Sequence, residues 1–312
     1  MNILITRHDK IGDFITILPM LKILRQETSH NITVLVSPIN YDLACSIKYI
    51  DNVIIYTKRN TLSLIKEIKL QKINTSISCY IDTRLALILF LSKIPTRISP
   101  ATKFAQLFFN KTIKQKRSES KKTEWEYNID LVKFFNPELN TKFKQPLLSF
   151  QHNKASASKL KIIAFHPGFG GSSQGNLTLD DYLRLARSIP DNNKYQIIFT
   201  FGPDDQKSKD YIQSKLDFDA EIVNSKLSLI EFCQLLNTFY LFVSTSTGPM
   251  HIAGALNKKT LSFFGDNIFA SSARWAPVSD KKNQSNFNIP LDYDSIYYDA
   301  VEKKLAQLLS DS

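Results

Sequence analysis

The chain has 312 residues, 43% of them hydrophobic, and 40 Lys and Arg against 29 Asp and Glu give a formal net charge of +11. That length allows two domains of ordinary size with a core each, and that apolar share excludes a disordered chain. The longest apolar run, Leu85-Ala86-Leu87-Ile88-Leu89-Phe90-Leu91, falls far short of the ~20 residues that cross a bilayer, so no membrane-spanning helix is expected.

The chain opens on a β-rich run at residues 2–6 that soon meets charge, which reads as a strand and not a signal peptide; the protein is expected to stay in the cytoplasm. Periodicity then predicts a helix over 12–27, a strand over 32–36, a helix over 41–48, a strand over 53–56, a helix over 62–71, a strand over 76–81 and a helix from 85. This βαβα alternation predicts a parallel sheet. Residues 93–122 hold Lys93, Arg97, Lys103, Lys111, Lys114, Lys116, Arg117, Lys121 and Lys122 against the single acid Glu119, interleaved with Phe104, Leu107, Phe108 and Phe109. The stretch reads either as an anion-facing surface or as a solvated, lysine-rich excursion.

From 136 to 158 the pattern fades around Pro137 and Pro146 into a polar run, which places a domain boundary near 150, with domains at 1–150 and 151–312. The alternation restarts with strands at 161–166, 195–201, 221–223, 240–244 and 260–264. Helices are expected at 178–188, 205–216 and 227–236, with another opening near Pro249. The tail, 293–309, is expected to form a last helix with Ile296, Val301, Leu305, Leu308 and Leu309 on its apolar stripe. The fold class expected is α/β, with two Rossmann-like parallel-sheet domains.

Three strand-to-helix junctions carry the residues of chemical interest. The first, Arg7-His8-Asp9-Lys10-Ile11-Gly12-Asp13, puts Asp13 where a strand gives way to a helix. A carboxylate there can accept a proton from a substrate, or can simply favour the first turn of a helix through the macrodipole. The second, His166-Pro167-Gly168-Phe169-Gly170-Gly171-Ser172-Ser173, is either an anion-binding turn, in which Gly170, Gly171, Ser172 and Ser173 offer amides to a phosphate, or an ordinary Gly-rich turn. It is not a dinucleotide fingerprint, since Ser173 replaces the third Gly and no acid ends the next strand, so a nicotinamide enzyme is disfavoured. The third, Thr247-Gly248-Pro249-Met250-His251, opens a helix whose free N–H groups suit a phosphate. His251 faces either a cleft or the core, and Arg274-Trp275 either lines a cleft or stacks on the surface. Cys45, Cys79 and Cys233 form no CxxC pair and no His lies at ligand spacing, so neither zinc nor a disulfide framework is expected.

With Arg7-x-Asp9-x-Ile11-Gly12-Asp13, Pro19, His166-Pro167-Gly168, Gly170-Gly171-Ser172, Thr247 to Ala253, Phe264-Gly265 and Arg274-Trp275 in this order, the whole chain resembles glycosyltransferase family 9, the lipopolysaccharide heptosyltransferase group. The resemblance implies a GT-B architecture, two Rossmann-like domains facing a cleft, with the acceptor on the amino-terminal side, the nucleotide-sugar on the carboxy-terminal side and a last helix crossing back. It implies inverting transfer of a heptose from an ADP-activated donor to a lipopolysaccharide inner-core acceptor, with no obligatory cofactor or metal. Asp13 matches the catalytic base, while Gly170 to Ser173 and Thr247 to His251 match the donor-phosphate site. Arg7, Asp9, Lys10, Lys114, Lys116 and Arg117 are expected at the acceptor, an anionic lipid A core oligosaccharide on the inner face of the cytoplasmic membrane, to which the protein would be peripheral.

Two positions depart from the pattern. Ser173-Gln174-Gly175-Asn176-Leu177 lacks the cation that many members carry after the glycine loop, and Ser246 stands where many have Asp. Another nucleotide-sugar with a different glycan or protein acceptor is the alternative enzyme. A nonenzymatic anion-binding protein is the alternative class, although Asp9 and Asp13 would repel a nucleic acid and no RNA-recognition signature accompanies the charge.

Overall fold

The computed structural model describes residues 1–57, 60–102, 104–150, 160–168, 175–190, 193–223 and 226–310, and divides into two compact units, Met1–Leu147 and Leu148–Ser312. In the first unit β1 (Asn2–Arg7), β2 (Asn31–Val36), β3 (Asn52–Ile55), β4 (Thr75–Ser78), β5 (Thr96–Pro100) and β6 (Lys111–Ile113) form one sheet in the order β3-β2-β1-β4-β5-β6. Every pairing is parallel, with Ile5 of β1 opposite Val34 on one side and Ile77 on the other. The central strands are buried on both faces because helices cover both. These helices are α1 (Ile11–Ile15), α2 (Leu18–Glu27), α3 (Tyr41–Cys45), α4 (Thr61–Leu70), α5 (Thr83–Leu91) and α6 (Glu124–Phe135).

The helix expected over 12–27 is two, because Pro19 has no N–H to continue the ladder and instead occupies the first turn of α2. Periodicity also missed α6, whose start is written in Thr123 and Glu126: each side chain bonds the other's backbone N–H in a capping box.

The second unit repeats the plan with β7 (Lys161–His166), α7 (Leu179–Arg187), β8 (Tyr195–Phe199), α8 (Gln206–Lys215), β9 (Glu221–Ile222), α9 (Leu229–Thr238), β10 (Leu241–Thr245), α10 (Gly248–Ala255), β11 (Lys259–Gly265), α11 (Ser272–Trp275), β12 (Gln284–Ile289) and α12 (Ser295–Ser310). Its sheet is likewise parallel, in the order β12-β11-β10-β7-β8-β9. The edge strand β12 is polar, which hid it from the pattern. Helix α12 lodges Tyr298, Val301, Leu305, Leu308 and Leu309 in the core of its own unit, whereas Ile296, expected on that stripe, is exposed.

In each sheet the strand order reverses once, between β1 and β4 and between β7 and β10. Loops leaving neighbouring strands at such a point diverge, opening a crevice at the carboxyl ends where open α/β sheets bind ligands. The first two motif segments follow β1 and β7, and the third follows β10.

Candidate active site

Arg7 ends β1 with its side chain 4% exposed, and a buried guanidinium requires carboxylate partners. It donates from Nε to Asp9 Oδ1 at 2.9 Å, from Nη2 to Asp13 Oδ1, and from Nη1 to Glu124 Oε1 at 3.4 Å and the Cys79 carbonyl at 3.4 Å. Burial opposes its charge, but Asp13, Asp9 and Glu124 together hold its pKa above the ordinary value. The Asp9 carboxyl is pushed up by burial, against the pull of Arg7 and with the help of the neighbouring Asp13 charge.

Asp13 lies in the first turn of α1, is 18% exposed, and offers an Oδ2 that meets no hydrogen-bond donor among the described residues. Its position is fixed from two directions. Arg7 holds Oδ1, and the Thr16 hydroxyl donates to the Asp13 carbonyl at 2.6 Å. Asn128 on α6 donates in turn to Thr16 Oγ1 at 3.0 Å and to the Thr16 carbonyl at 3.2 Å.

Arg117 closes the circuit. Its Nη1 donates to the same Glu124 Oε1 that Arg7 reaches, its Nε and Nη2 donate to Gln115 Oε1 at 3.0 and 2.8 Å, and its Nη2 donates to Asn128 Oδ1 at 3.3 Å. Arg7 and Arg117, both expected at the acceptor, are instead internal cations sharing Glu124. Lys116 and Lys121 pair with Glu119, and Lys122 pairs with Asp130, so much of the basic stretch is locally neutralised; Lys114 and Lys10 are exposed.

Across the β1/β4 crevice His8 Nε2 meets Asp82 Oδ2 at 2.5 Å, and Tyr56 donates its hydroxyl to the same carboxylate at 3.1 Å. Burial works against the Asp82 charge. The His8 contact, the Leu85 amide at the start of α5 and Tyr56 outweigh it and hold the carboxyl down at about 2. Sequence alone gave no role to Glu124, Asn128, Thr16 or Asp82; only the capping box of α6 signalled a helix that could carry the first two.

At the β7/β10 crevice, His166 is buried, bonded through Nδ1 to Thr200 Oγ1 at 2.9 Å, and burial lowers its pKa to about 4 against the opposing charge of Asp205. Gly170, Gly171, Ser172 and Ser173 lie outside the described residues. The end of their loop is anchored: Gly175 adopts a left-handed φ of +82°, and its carbonyl accepts from Thr245 Oγ1 at 2.9 Å. Asn176, a neutral candidate for a phosphate contact, spends its amide on the loop, donating to the Pro167 carbonyl and accepting from Leu177 N and the Tyr182 hydroxyl.

Thr247 takes the cap position of α10 in extended backbone with no side-chain capping bond, and Gly248 and Pro249 form the first turn. Pro249 has no N–H, so the Gly248 and Met250 amides are the first-turn donors left over by the helix. The Met250 and His251 side chains, expected at the donor, are buried, and the His251 ring packs edge-on against Trp275 at 6.1 Å. Met250 can still offer its main-chain amide to a ligand, whereas the His251 N–H already donates to the Thr247 carbonyl at 3.3 Å. Arg274 stacks over Trp275 at 5.0 Å. Among the described residues no group of three His, Cys, Asp or Glu side chains is arranged to hold a metal ion.

A Haemophilus influenzae protein assigned as a glycosyltransferase is 32% identical over 300 residues, covering 89% of this chain and 86% of that one. Among solved structures, the E. coli ADP-heptose lipopolysaccharide heptosyltransferase II superposes with a TM-score of 0.81 at 18% identity over 100% of this chain and 99% of that one. E. coli heptosyltransferase WaaC with ADP superposes with a TM-score of 0.75 at 15% identity, covering 99% and 100%. The family model for glycosyltransferase family 9 (heptosyltransferase) matches residues 61–297, more than half of the sequence. On that match and on the relative that spans most of its length, the chain belongs to glycosyltransferase family 9.

Proposed function

We propose that this glycosyltransferase moves a heptose from ADP-heptose to an inner-core lipopolysaccharide acceptor by a single inverting displacement, with Asp13 as base. The observation that carries the reading is the Asp13 carboxylate at the β1/β4 crevice, with one oxygen held by Arg7 and the other meeting no donor among the described residues. The acceptor hydroxyl oxygen forms a bond to the anomeric carbon as the bond from that carbon to the diphosphate oxygen breaks. The hydroxyl proton passes to Asp13, and ADP leaves with the electron pair.

Developing charge on the departing diphosphate is met by main-chain amides at the start of α10, those of Gly248 and Met250, with the Thr247 hydroxyl beside them; Gly170 to Ser173 are assigned to the same diphosphate on their motif. A heptose donor is supported by the likeness to the E. coli ADP-heptose enzyme. Lys10 and Lys114, exposed cations of the first unit, are the residues assigned to the anionic acceptor, and the protein works as a peripheral protein at the inner face of the cytoplasmic membrane.

Ser246 favours a second reading, because a hydroxyl replaces a carboxylate that many members place before the Thr-Gly pair and so accepts sugar hydroxyls less strongly. The test is transfer from ADP-heptose and from a panel of other nucleotide-sugars to a lipid A–Kdo acceptor, with product read by mass. A gain of one heptose is expected. Transfer from another donor alone would replace the donor assignment, and absence of nucleotide release from every donor would overturn the reading.

A further inference from the structure

The outer face of α5 and the 3-10 turn Phe104–Phe108 is apolar where a soluble protein is normally polar. Along α5, Leu85, Ala86, Ile88 and Leu89 face the core while Leu87, Phe90 and Leu91 are exposed; in the turn, Ala105 is buried while Phe104 and Leu107 are 75% and 68% exposed. The two elements form one surface: the Phe90 and Phe108 rings lie 5.9 Å apart, and Arg97 stacks over Phe90 at 5.3 Å with its Nε donating to the Phe108 carbonyl at 2.8 Å. Five large side chains exposed together, two of them projecting from a tight turn, mark a binding surface.

The sequence that builds this patch carries charge of one sign. Between Asp82 and Glu119 the sequence has no acid and eight bases, of which Lys93, Lys111 and Lys114 are exposed and have no acidic partner among the described residues. Lys93 immediately follows α5, and Lys111 pairs in register with Ile98, the neighbour of Arg97. Apolar side chains that protrude from a segment rich in lysine and without an acid suit a layer that is apolar inside and anionic at its surface.

We propose that this face docks on an anionic phospholipid bilayer, with Phe104 and Leu107 entering the acyl boundary and Lys93 and Lys111 lying against headgroup phosphates. The inference deepens the membrane-facing part of the proposed function and rests on it, but it is independent of the donor sugar and of the acceptor.

The test is co-sedimentation of the full chain with vesicles of pure phosphatidylcholine and of phosphatidylcholine with phosphatidylglycerol, neither containing any lipopolysaccharide. The wild type is expected to bind the anionic vesicles at least ~10-fold more tightly than the neutral ones. Phe104→Ser with Leu107→Ser should reduce anionic binding at least ~10-fold, and Lys93→Glu with Lys111→Glu should reduce it similarly. Because all four side chains are exposed, circular dichroism and thermal unfolding should match the wild type, and nucleotide release should be unchanged.

Equal vesicle binding by the Phe104/Leu107 variant overturns the proposal, as does indifference of the wild type to anionic lipid. So does conversion of a wild-type dimer to a monomer by the same substitutions without loss of vesicle binding, which would assign the face to a second copy of the chain. A wild type that transfers heptose but does not bind anionic vesicles rejects this surface alone, and a wild type that binds them but transfers no heptose rejects the donor assignment alone.

Discussion

Replacing Glu124 by Ala removes the carboxylate that Arg7 and Arg117 share. Arg7 keeps Asp9 and Asp13, so the cation left uncompensated is Arg117, which retains only the neutral oxygens of Gln115 and Asn128. Glu124 is 4% exposed and Arg117 14%, so water cannot take the place of the lost charge, and breaking such a pair costs about 3–5 kcal/mol. That is a large share of the 5–15 kcal/mol typical of a folded domain. Glu124→Gln also removes the counter-charge of Arg117 but keeps the shape and one acceptor, so its cost should fall between zero and that of Glu124→Ala.

Urea unfolding of the first unit can be followed by Trp125 fluorescence in a Trp275→Phe background, since the chain has only these two tryptophans. A double-mutant cycle with Arg117→Gln should return a coupling of about 1–3 kcal/mol. Because Arg7 also holds Asp13, kcat should fall in Glu124→Gln while donor KM stays near its original value. A Glu124→Ala variant within 1 kcal/mol of wild type, or a cycle with no coupling, would refute the view that one carboxylate organises both cations.

Asp13→Asn should keep the fold and nucleotide affinity yet lose about 10²-fold or more in turnover, measured by nucleotide release under saturating donor. Thr247→Val should weaken ADP binding about 5- to 10-fold by calorimetry, the equivalent of one hydrogen bond; unchanged affinity would remove Thr247 from the donor site. Gly175→Ala should destabilise the second unit by about 1–3 kcal/mol and raise donor KM, since an added Cβ at φ +82° would stand 2.3 Å from the Phe264 carbonyl and 2.5 Å from Gly265 Cα, both rigid backbone. Burial lowers the folded His166 pKa to about 4, below the ordinary 6.5 or so, so the unfolded chain takes up a proton that the folded site refuses. Its contribution to stability is complete above about pH 6.5 and is lost as pH falls toward 4, up to roughly 3 kcal/mol; His166→Gln should flatten unfolding curves across that window.

The three strand-to-helix junctions at the crevices were legible, because short motifs follow apolar strands and the βαβ alternation dictates a parallel sheet. What escaped were features that depend on distant partners or on weak patterns. The sequence shows nine bases in one stretch, but only the fold shows Lys116 and Lys121 on Glu119 and Arg117 turned inward onto Glu124. Met250 and His251 sit in a motif yet point into the core, since consecutive residues of one helical turn cannot all face a crevice. Strands β5 and β6 were hidden in the basic stretch and β12 by its polarity, as is common at sheet edges, where side chains need not be apolar.

Glu124 follows Arg7 by 117 residues, and at about 5–20 residues per second a ribosome needs roughly 6 to 23 s to make that length of chain. The segment with Asp13 is therefore among the first to emerge, and its surroundings are among the last in the unit to be completed. Until α6 arrives, Thr16 waits for Asn128 and Arg7 for its third carboxylate. A chain released early could assemble β1 to β4 and still lack an ordered Asp13, so the order of synthesis ties a positioned Asp13 carboxylate to a nearly finished amino-terminal unit.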